Sequence, residues 1–182
     1  MKLEELLLER ASQVLKRWTD LIFDSYPADA RRFLRKQEDP FANPVGSAFS
    51  REIETFYREF IGPANPEKLS AALETVIRIR SVQEFSASGA VRFLFLLKKI
   101  IREETSKEVR GNRISQDELL ALESRLDDAA LAGFDLYMKC KEKVYEIRAG
   151  EARSQVSGLL RRAGLISEVP AWDSEGKKST LG

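Results

Sequence analysis

A group of polar side chains lies between two strongly apolar stretches, in the segment VIRIRSVQEFSASGAV at residues 76–91. If the preceding helix continues to residue 84, then Arg80, Gln83 and Glu84 prolong its apolar row. A guanidinium beside the N-terminus of the following helix favours an anion. The alternative is a solvated helix end, where Arg80 pairs with Glu84 and complements the helix dipole. The candidate ligand-binding residues are therefore Arg78, Arg80, Gln83, Glu84, Ser86 and Ser88.

The rest of the sequence offers little for catalysis. It contains no histidine, which is the commonest general base near neutral pH and the commonest metal ligand. Its one cysteine, Cys140, lies on an apolar helical row, and we interpret it as a small buried hydrophobe rather than a redox sensor. We interpret the neighbouring Phe134, Tyr137 and Met138 as core residues. No phosphate-loop or dinucleotide motif is present, so we expect no enzyme, no cofactor and no metal site.

Composition predicts a soluble globular chain. The 182 residues are 43% hydrophobic and 32% charged, and the formal net charge is +1. Such a small charge gives no long-range field that recruits nucleic acid or an anionic membrane. The longest aliphatic and aromatic run, FLFLL at 93–97, is far shorter than the ~20 residues of a membrane span. The N-terminus alternates acids and bases, unlike a signal peptide, so we expect a cytoplasmic protein without nucleic-acid partners or membrane insertion.

Apolar residues recur at spacings of three and four, which predicts an all-α, single-domain bundle of about five to six helices. The first helix is predicted over 2–24. Later helices are predicted to begin at Pro44 after the cap Asn43, at Pro66 after the cap Asn65, and after Ser86 or Ser88 as the cap. The segment TVIRIR at 75–80 alternates like a strand, but strong helix-forming residues precede it, and we interpret it as helix. The first helix carries its apolar row at Leu7, Ala11, Val14, Trp18, Leu21 and Ile22.

The last helix is predicted from about 116 to at least 148, and its pattern resumes as far as about 163. Small residues make one stretch of it narrow, which invites close approach by another helix. We expect a helical domain over 1–163 and a flexible tail over 164–182. The predicted dimer seam is Ala130, Gly133, Tyr137, Cys140 and Val144, and the predicted partner-docking residues are Arg153, Arg161, Arg162 and Trp172.

Several long motifs resemble one known family. They are RW at 17–18, YPAD at 26–29, FANPVG at 41–46, the segment 78–104 that contains the polar group, and AGFDLYMKCKEKVYEIRAGEARSQ at 132–155. Together they resemble the helical N-terminal domain of the RsbT co-antagonist D (RsbRD) family. The resemblance implies an all-helical input module of the kind found before signalling output domains. Related stressosome input domains resemble globins without haem and dimerise through their helices, so we expect a fold that is globin-like without haem.

Two functional hypotheses follow. One is a non-catalytic, haem-free, sensor-like module that homodimerises through its first and last helices, binds a small anionic ligand and signals to a protein partner. The resemblance ends near residue 163, so we expect this module to lack an output domain. The other is an accessory or adaptor subunit of a larger complex, which docks through the C-terminal helix and the tail.

Overall fold

The computed structural model describes residues 2–35, 44–63, 65–83 and 85–164, with only the backbone of 32–35. Every regular element in these residues is an α-helix, which confirms the predicted fold class. The described helices are α1 (Leu3–Glu9), α2 (Ala11–Asp24), α3 (Ala28–Arg35), α4 (Pro44–Ile61), α5 (Pro66–Val82), α6 (Ala87–Arg110) and α7 (Gln116–Arg162).

Packing divides the chain into two compact units, Met1–Glu142 and Lys143–Gly182. The first unit contains α1 to α6 and the beginning of α7, and the hydrophobic core lies within it. In the second unit the described residues, 143–164, are exposed except for the half-buried Val144 and Leu160. The flexible tail predicted over 164–182 lies outside the described residues from residue 165 onward.

The predicted first helix is two helices that meet at Arg10. Arg10 has φ −91° and ψ 10°, and it closes α1 and opens α2. Its guanidinium donates to the backbone oxygen of Glu104 and to the carboxylate of Glu108, both on α6. The apolar row continues through the break, because Leu7 and Ala11 are both buried. This division explains why the described chain has one helix more than the largest number predicted.

Trp18 lies at the centre of the first unit, where α2, α4 and α6 meet. Its side chain is 0% exposed, and its indole packs against Phe56, Tyr57 and Phe93 with ring centroids 5.9–6.5 Å apart. The indole Nε1 donates to the backbone oxygen of Phe93 at 2.7 Å. A buried indole needs a partner for its N–H group, and here the partner also ties α2 to α6.

Two predicted helix starts are confirmed by their caps. The side chain of Asn65 accepts hydrogen bonds from the backbone N–H groups of Glu67 and Lys68, and Pro66 is the first residue of α5. Of the two serines considered, Ser86 caps α6, because its Oγ accepts from the Gly89 N–H at 3.1 Å. Asn43, the cap expected before Pro44, lies outside the described residues.

The narrow stretch of α7 packs within its own chain. A Cβ atom placed on Gly133 would lie 3.4 Å from side-chain carbons of both Ile77 on α5 and Val91 on α6. Tyr137, one turn further on, is buried and donates to the backbone oxygen of Phe85. The close helix approach that the small residues predicted is therefore made by α5 and α6 of the same chain.

Candidate functional site

The ends of α2 and α5 and the start of α6 meet around the side chain of Arg80. We call this region the Arg80 junction, comprising Ser25, Tyr26, Arg80, Gln83 and residues 85–89. Arg80 is only 1% exposed, although it stands in the last turn of α5. Its guanidinium carbon lies 4.2 Å from the centroid of the Phe85 ring, and 5.4 and 5.9 Å from those of Tyr26 and Phe93. Arg80 thus occupies an aromatic cage inside the first unit.

The polar contacts of Arg80 are few. Nη2 donates to the backbone oxygen of Gly89 at 3.1 Å, while contacts to the hydroxyls of Tyr26 and Ser25 are both 3.5 Å long. Nε is buried and has no hydrogen-bond partner. Burial lowers the pKa of Arg80, and the nearby Tyr26 opposes this shift. Among the described residues no carboxylate forms an ion pair with it, and the groups that contact the cation there are all neutral.

The other polar groups of the Arg80 junction hold its three segments together. The hydroxyl of Tyr26 donates to Oε1 of Gln83 at 2.9 Å, and burial raises the pKa of this tyrosine. Ser86 Oγ lies 3.3 Å from Ser88 Oγ at the start of α6. Through the bond from Tyr137 to the Phe85 carbonyl, α7 is connected to the same segment. Four helices therefore converge where the sequence predicted a polar group.

The structure brings together only part of the predicted ligand set. Arg80, Gln83, Ser86 and Ser88 lie in the Arg80 junction. Arg78 is exposed on the other side of α5 and pairs with Glu74 one turn earlier. Glu84 lies outside the described residues. The ligand role of these residues stays a prediction.

The predicted dimer seam is divided between buried and partly buried residues. Ala130, Gly133 and Tyr137 are buried against their own chain, so they present no free surface to a second copy. Cys140, a free thiol, is half-buried in the first unit, and Val144 is half-buried in the second. Within the first unit, the free surface of α7 for a dimer contact therefore lies on its other face, and the role of the predicted seam stays a prediction.

That other face carries large apolar side chains, two of which are predicted from the sequence to lie in the core. Tyr137 is buried as predicted, but Phe134 and Met138 are 43% and 42% exposed, which corrects the prediction for these two. Leu131 on the same face is 69% exposed, and Phe95 on α6 is 49% exposed. The spacing of these residues along the sequence indicates that they share one face of the helix. It does not indicate whether that face packs against the core or is exposed.

Phe95 on α6 lies beside this face of α7, at the same position along the two antiparallel helices. Gly133 packs beside Val91, and Lys98 Nζ lies 2.8 Å from both carboxylate oxygens of Asp127. Phe95 stands between Val91 and Lys98 on α6, and Leu131 stands between Asp127 and Gly133 on α7. We call Phe95, Leu131, Phe134 and Met138 the α6/α7 apolar patch.

The remaining charged clusters of the first unit join helices. Arg17 on α2 pairs with Glu103 and Glu104 on α6, and Arg102 on α6 pairs with the buried Glu123 on α7. The Arg10 guanidinium is the main cause that lowers the pKa of the Glu108 carboxyl. Within the described ranges, no group of histidine, cysteine and carboxylate side chains is arranged to hold a metal ion. Nor does the described part of the chain contain a helix of the length and apolar character needed to cross a membrane.

The predicted docking residues fall partly in the second unit. Arg153, Arg161 and Arg162 are exposed on α7, together with Val156 and Leu159. Trp172 lies outside the described residues. Their docking role remains a prediction.

A comparison with protein families decides the class of the chain. The family model described as the RsbT co-antagonist protein rsbRD N-terminal domain matches residues 12–152, which is more than half of the 182 residues. The chain belongs to this family. The resemblance seen in the sequence motifs is therefore confirmed. No curated protein and no solved structure shows significant similarity to the chain.

Membership of the RsbRD N-terminal domain family indicates a stressosome-type regulatory input domain. Such a domain fits a protein that is not an enzyme. In this RsbRD domain the match runs from α2 into α7, so it includes the Arg80 junction and the α6/α7 apolar patch.

Proposed function

We propose that the protein is a non-catalytic, haem-free input module of the cytoplasm that homodimerises and signals to a protein partner. The observation that carries the proposal is the α6/α7 apolar patch. Four large apolar side chains are exposed together on two adjacent helices, and patches of this kind mark interaction sites. Aromatic and methionine residues are also the types enriched in interfaces.

A second copy is the proposed occupant of the patch. A two-fold dimer brings the same surface of each chain together, so an apolar patch meets an apolar patch. The flanking pair of Lys98 and Asp127 offers one charge of each sign, which a symmetric partner can match. This assigns the dimer to α6 and α7 instead of the first helix, because the apolar row of α1 is buried in its own chain.

The double substitution Leu131→Glu with Phe134→Glu is expected to separate the dimer. It places two carboxylates per chain in the proposed interface, and like charges brought together there oppose association. We expect sedimentation to give twice the 20.7 kDa of one chain for the unmodified protein. For the variant we expect the dissociation constant to rise at least about tenfold, which corresponds to about 1.4 kcal/mol.

The matched control is Val82→Glu with Leu120→Glu. Both side chains are exposed and apolar, and both lie outside the patch. The control is expected to remain dimeric, and both variants should keep the helical circular dichroism of the parent. A single-chain mass for the unmodified protein at its highest soluble concentration would rule out the dimer.

An accessory subunit that docks through the second unit is the alternative. It is favoured by the exposed arginines of α7 beside Val156 and Leu159, since arginine and apolar groups together are common anchors of interfaces. In this alternative, Trp172 in the predicted tail is a further docking residue.

Capture of partners from native cell extract, with the full chain and with residues 1–163, separates the two functions. We expect both forms to retain the same partner, because recognition by an input module lies on the helical body. A partner that is lost only with residues 1–163 would favour the accessory subunit. Val156→Glu with Leu159→Glu, in the full chain, then tests whether the exposed helix of the second unit contributes.

A further inference from the structure

Arg80 differs from the other buried charged residues of the first unit. Glu108 is buried and pairs with Arg10, and Glu123 is buried and pairs with Arg102. Arg80 is more deeply buried than either of them and has no carboxylate partner among the described residues. Since arginine stays protonated in proteins, its charge is not removed by losing the proton. Unpaired buried charges are strongly disfavoured, and the described residues of the Arg80 junction supply no anion to balance this one.

The guanidinium of Arg80 also has an N–H group without a hydrogen-bond acceptor. A guanidinium has five N–H groups, and of the three hydrogen bonds that Arg80 makes to described residues only one is shorter than 3.5 Å. The buried Nε–H has no partner. A carboxylate or phosphate group accepts two parallel N–H bonds from the edge of a guanidinium. Nε is therefore an unused donor of the kind that such an oxyanion binds.

The helix ends around Arg80 do not neutralise it. The C-terminal ends of α2 and α5 each supply roughly −0.5 charge, and the N-terminal end of α6 supplies roughly +0.5. With the guanidinium included, a positive charge of about one half remains. The 24-residue helix α6 is capped by Ser86, and its Gly89 carbonyl contacts Arg80, so the guanidinium lies against its first turn. Both the guanidinium and this helix end attract an anion.

We propose that the Arg80 junction binds a small oxyanion, a carboxylate or phosphate group, through Nε of Arg80 and the start of α6. The Tyr26 hydroxyl already donates to Gln83, and the Ser25 hydroxyl donates to the Ile22 carbonyl, so Ser86 is the hydroxyl at the junction that can also donate to the ligand. Phe85 lies over the guanidinium at 4.2 Å, so the ligand reaches Arg80 when the side chain of Phe85 moves aside. The Phe85 carbonyl accepts the hydrogen bond of Tyr137, so the segment that carries the Phe85 ring is also bonded to α7. The regulatory meaning of the site rests on the proposed input function, whereas the binding itself does not.

Thermal unfolding of the full chain tests the site with sodium phosphate and sodium acetate as separate probes, each against sodium chloride at equal ionic strength. A ligand that binds only the native state raises the melting temperature in a saturable way. At about ten times the dissociation constant we expect a rise of about 3–6 °C for a chain of this size. The probe that saturates identifies a phosphate or a carboxylate as the preferred group.

Arg80→Met and Arg78→Met form a matched pair, because they remove a buried and an exposed arginine of the same helix. Arg78→Met is expected to respond like the unmodified protein, and Arg80→Met is expected to show no saturable rise. Phosphate also stabilises proteins by exclusion from their surface, but that effect does not saturate and does not depend on Arg80. An equal response of both variants would overturn the proposal.

Glu84→Gln examines the internal alternative, in which the Glu84 carboxylate is the counter-ion. A saturable rise that appears only in Glu84→Gln would overturn the proposal. If Arg80→Met does not fold, the NMR resonances of the arginine Nε–H groups in the unmodified protein test whether the oxyanion binds at Arg80. We expect one slowly exchanging Nε–H signal to shift on addition of the probe, and the absence of any such shift would contradict the site. Sedimentation of the same samples reports the dimer separately, so either proposal can fail without the other.

Discussion

Replacement of Trp18 by alanine is expected to lower the free energy of unfolding by about 3–5 kcal/mol, the usual cost of a large aromatic side chain lost from a core. The indole is fully buried and contacts aromatic residues of both α4 and α6. Its removal leaves a cavity where three helices meet, and it also removes the hydrogen bond to the Phe93 carbonyl. Urea unfolding followed by circular dichroism measures the change without depending on tryptophan emission.

Two controls separate the contributions of Trp18. Trp18→Phe keeps most of the aromatic volume but has no N–H donor, so we expect it to cost about 1–2 kcal/mol, mainly for the lost hydrogen bond. Leu21→Ala removes a large side chain that is 36% exposed on the same helix. We expect it to lower the free energy of unfolding by less than either substitution of Trp18. Equal losses for Trp18→Ala and Leu21→Ala would contradict the packing of α2 described above.

The core of this fold was largely predictable from the sequence, since burial repeats with the helical period. Leu7, Val14, Trp18 and Ile22 were placed on one row, and all four are 0% exposed. The starts of α5 and α6 were predictable because their caps depend on one or two local residues. By contrast, the break at Arg10 interrupts no apolar row. It coincides with contacts to residues more than ninety positions away, which a local pattern does not contain.

The Arg80 junction could be predicted as a polar group at a helix joint, but not as a buried one. Arg78 and Arg80 are the same residue type two positions apart, and helical period places them on different faces. The rings that enclose Arg80 include Tyr26, which is 54 residues away, and Phe93, which is on the next helix. Whether an arginine at a helix end is solvated or buried depends on these distant residues. The sequence therefore left both interpretations open.

Gly133 lies on the narrow helix face that the sequence predicts, and the structure shows which helices pack against it. The small-residue pattern predicts this residue in a seam between two chains, whereas the structure places Ile77 and Val91 of the same chain against it. These two locations make different demands on a larger side chain. In a seam between chains a larger residue would change the association, and in the core of one chain it would change the stability.

Gly133→Leu is accordingly expected to lower the free energy of unfolding by about 1–3 kcal/mol, the usual cost of overpacking a core. A Cβ atom alone would sit 3.4 Å from both Ile77 and Val91, and the remaining atoms of leucine would force α7 away from α5 and α6. Gly133→Ala adds only that Cβ and improves helix propensity by up to about 1 kcal/mol, so we expect it to be neutral or stabilising. Ala132→Leu adds a similar bulk at the exposed neighbouring position and should change stability by less than about 0.5 kcal/mol.

Urea unfolding of these three variants, with sedimentation of each, distinguishes the two locations of Gly133. We expect Gly133→Leu to lose stability, and association to weaken only together with that loss, because Gly133 itself is buried against α5 and α6. A variant that unfolds like the parent but no longer associates would return Gly133 to an interface between chains. Since Tyr137 lies one turn beyond Gly133 and bonds to the Phe85 carbonyl, displacement of α7 at Gly133 should also weaken its connection to the Arg80 junction. The anion response of Gly133→Leu would then become smaller, whereas that of Ala132→Leu would not.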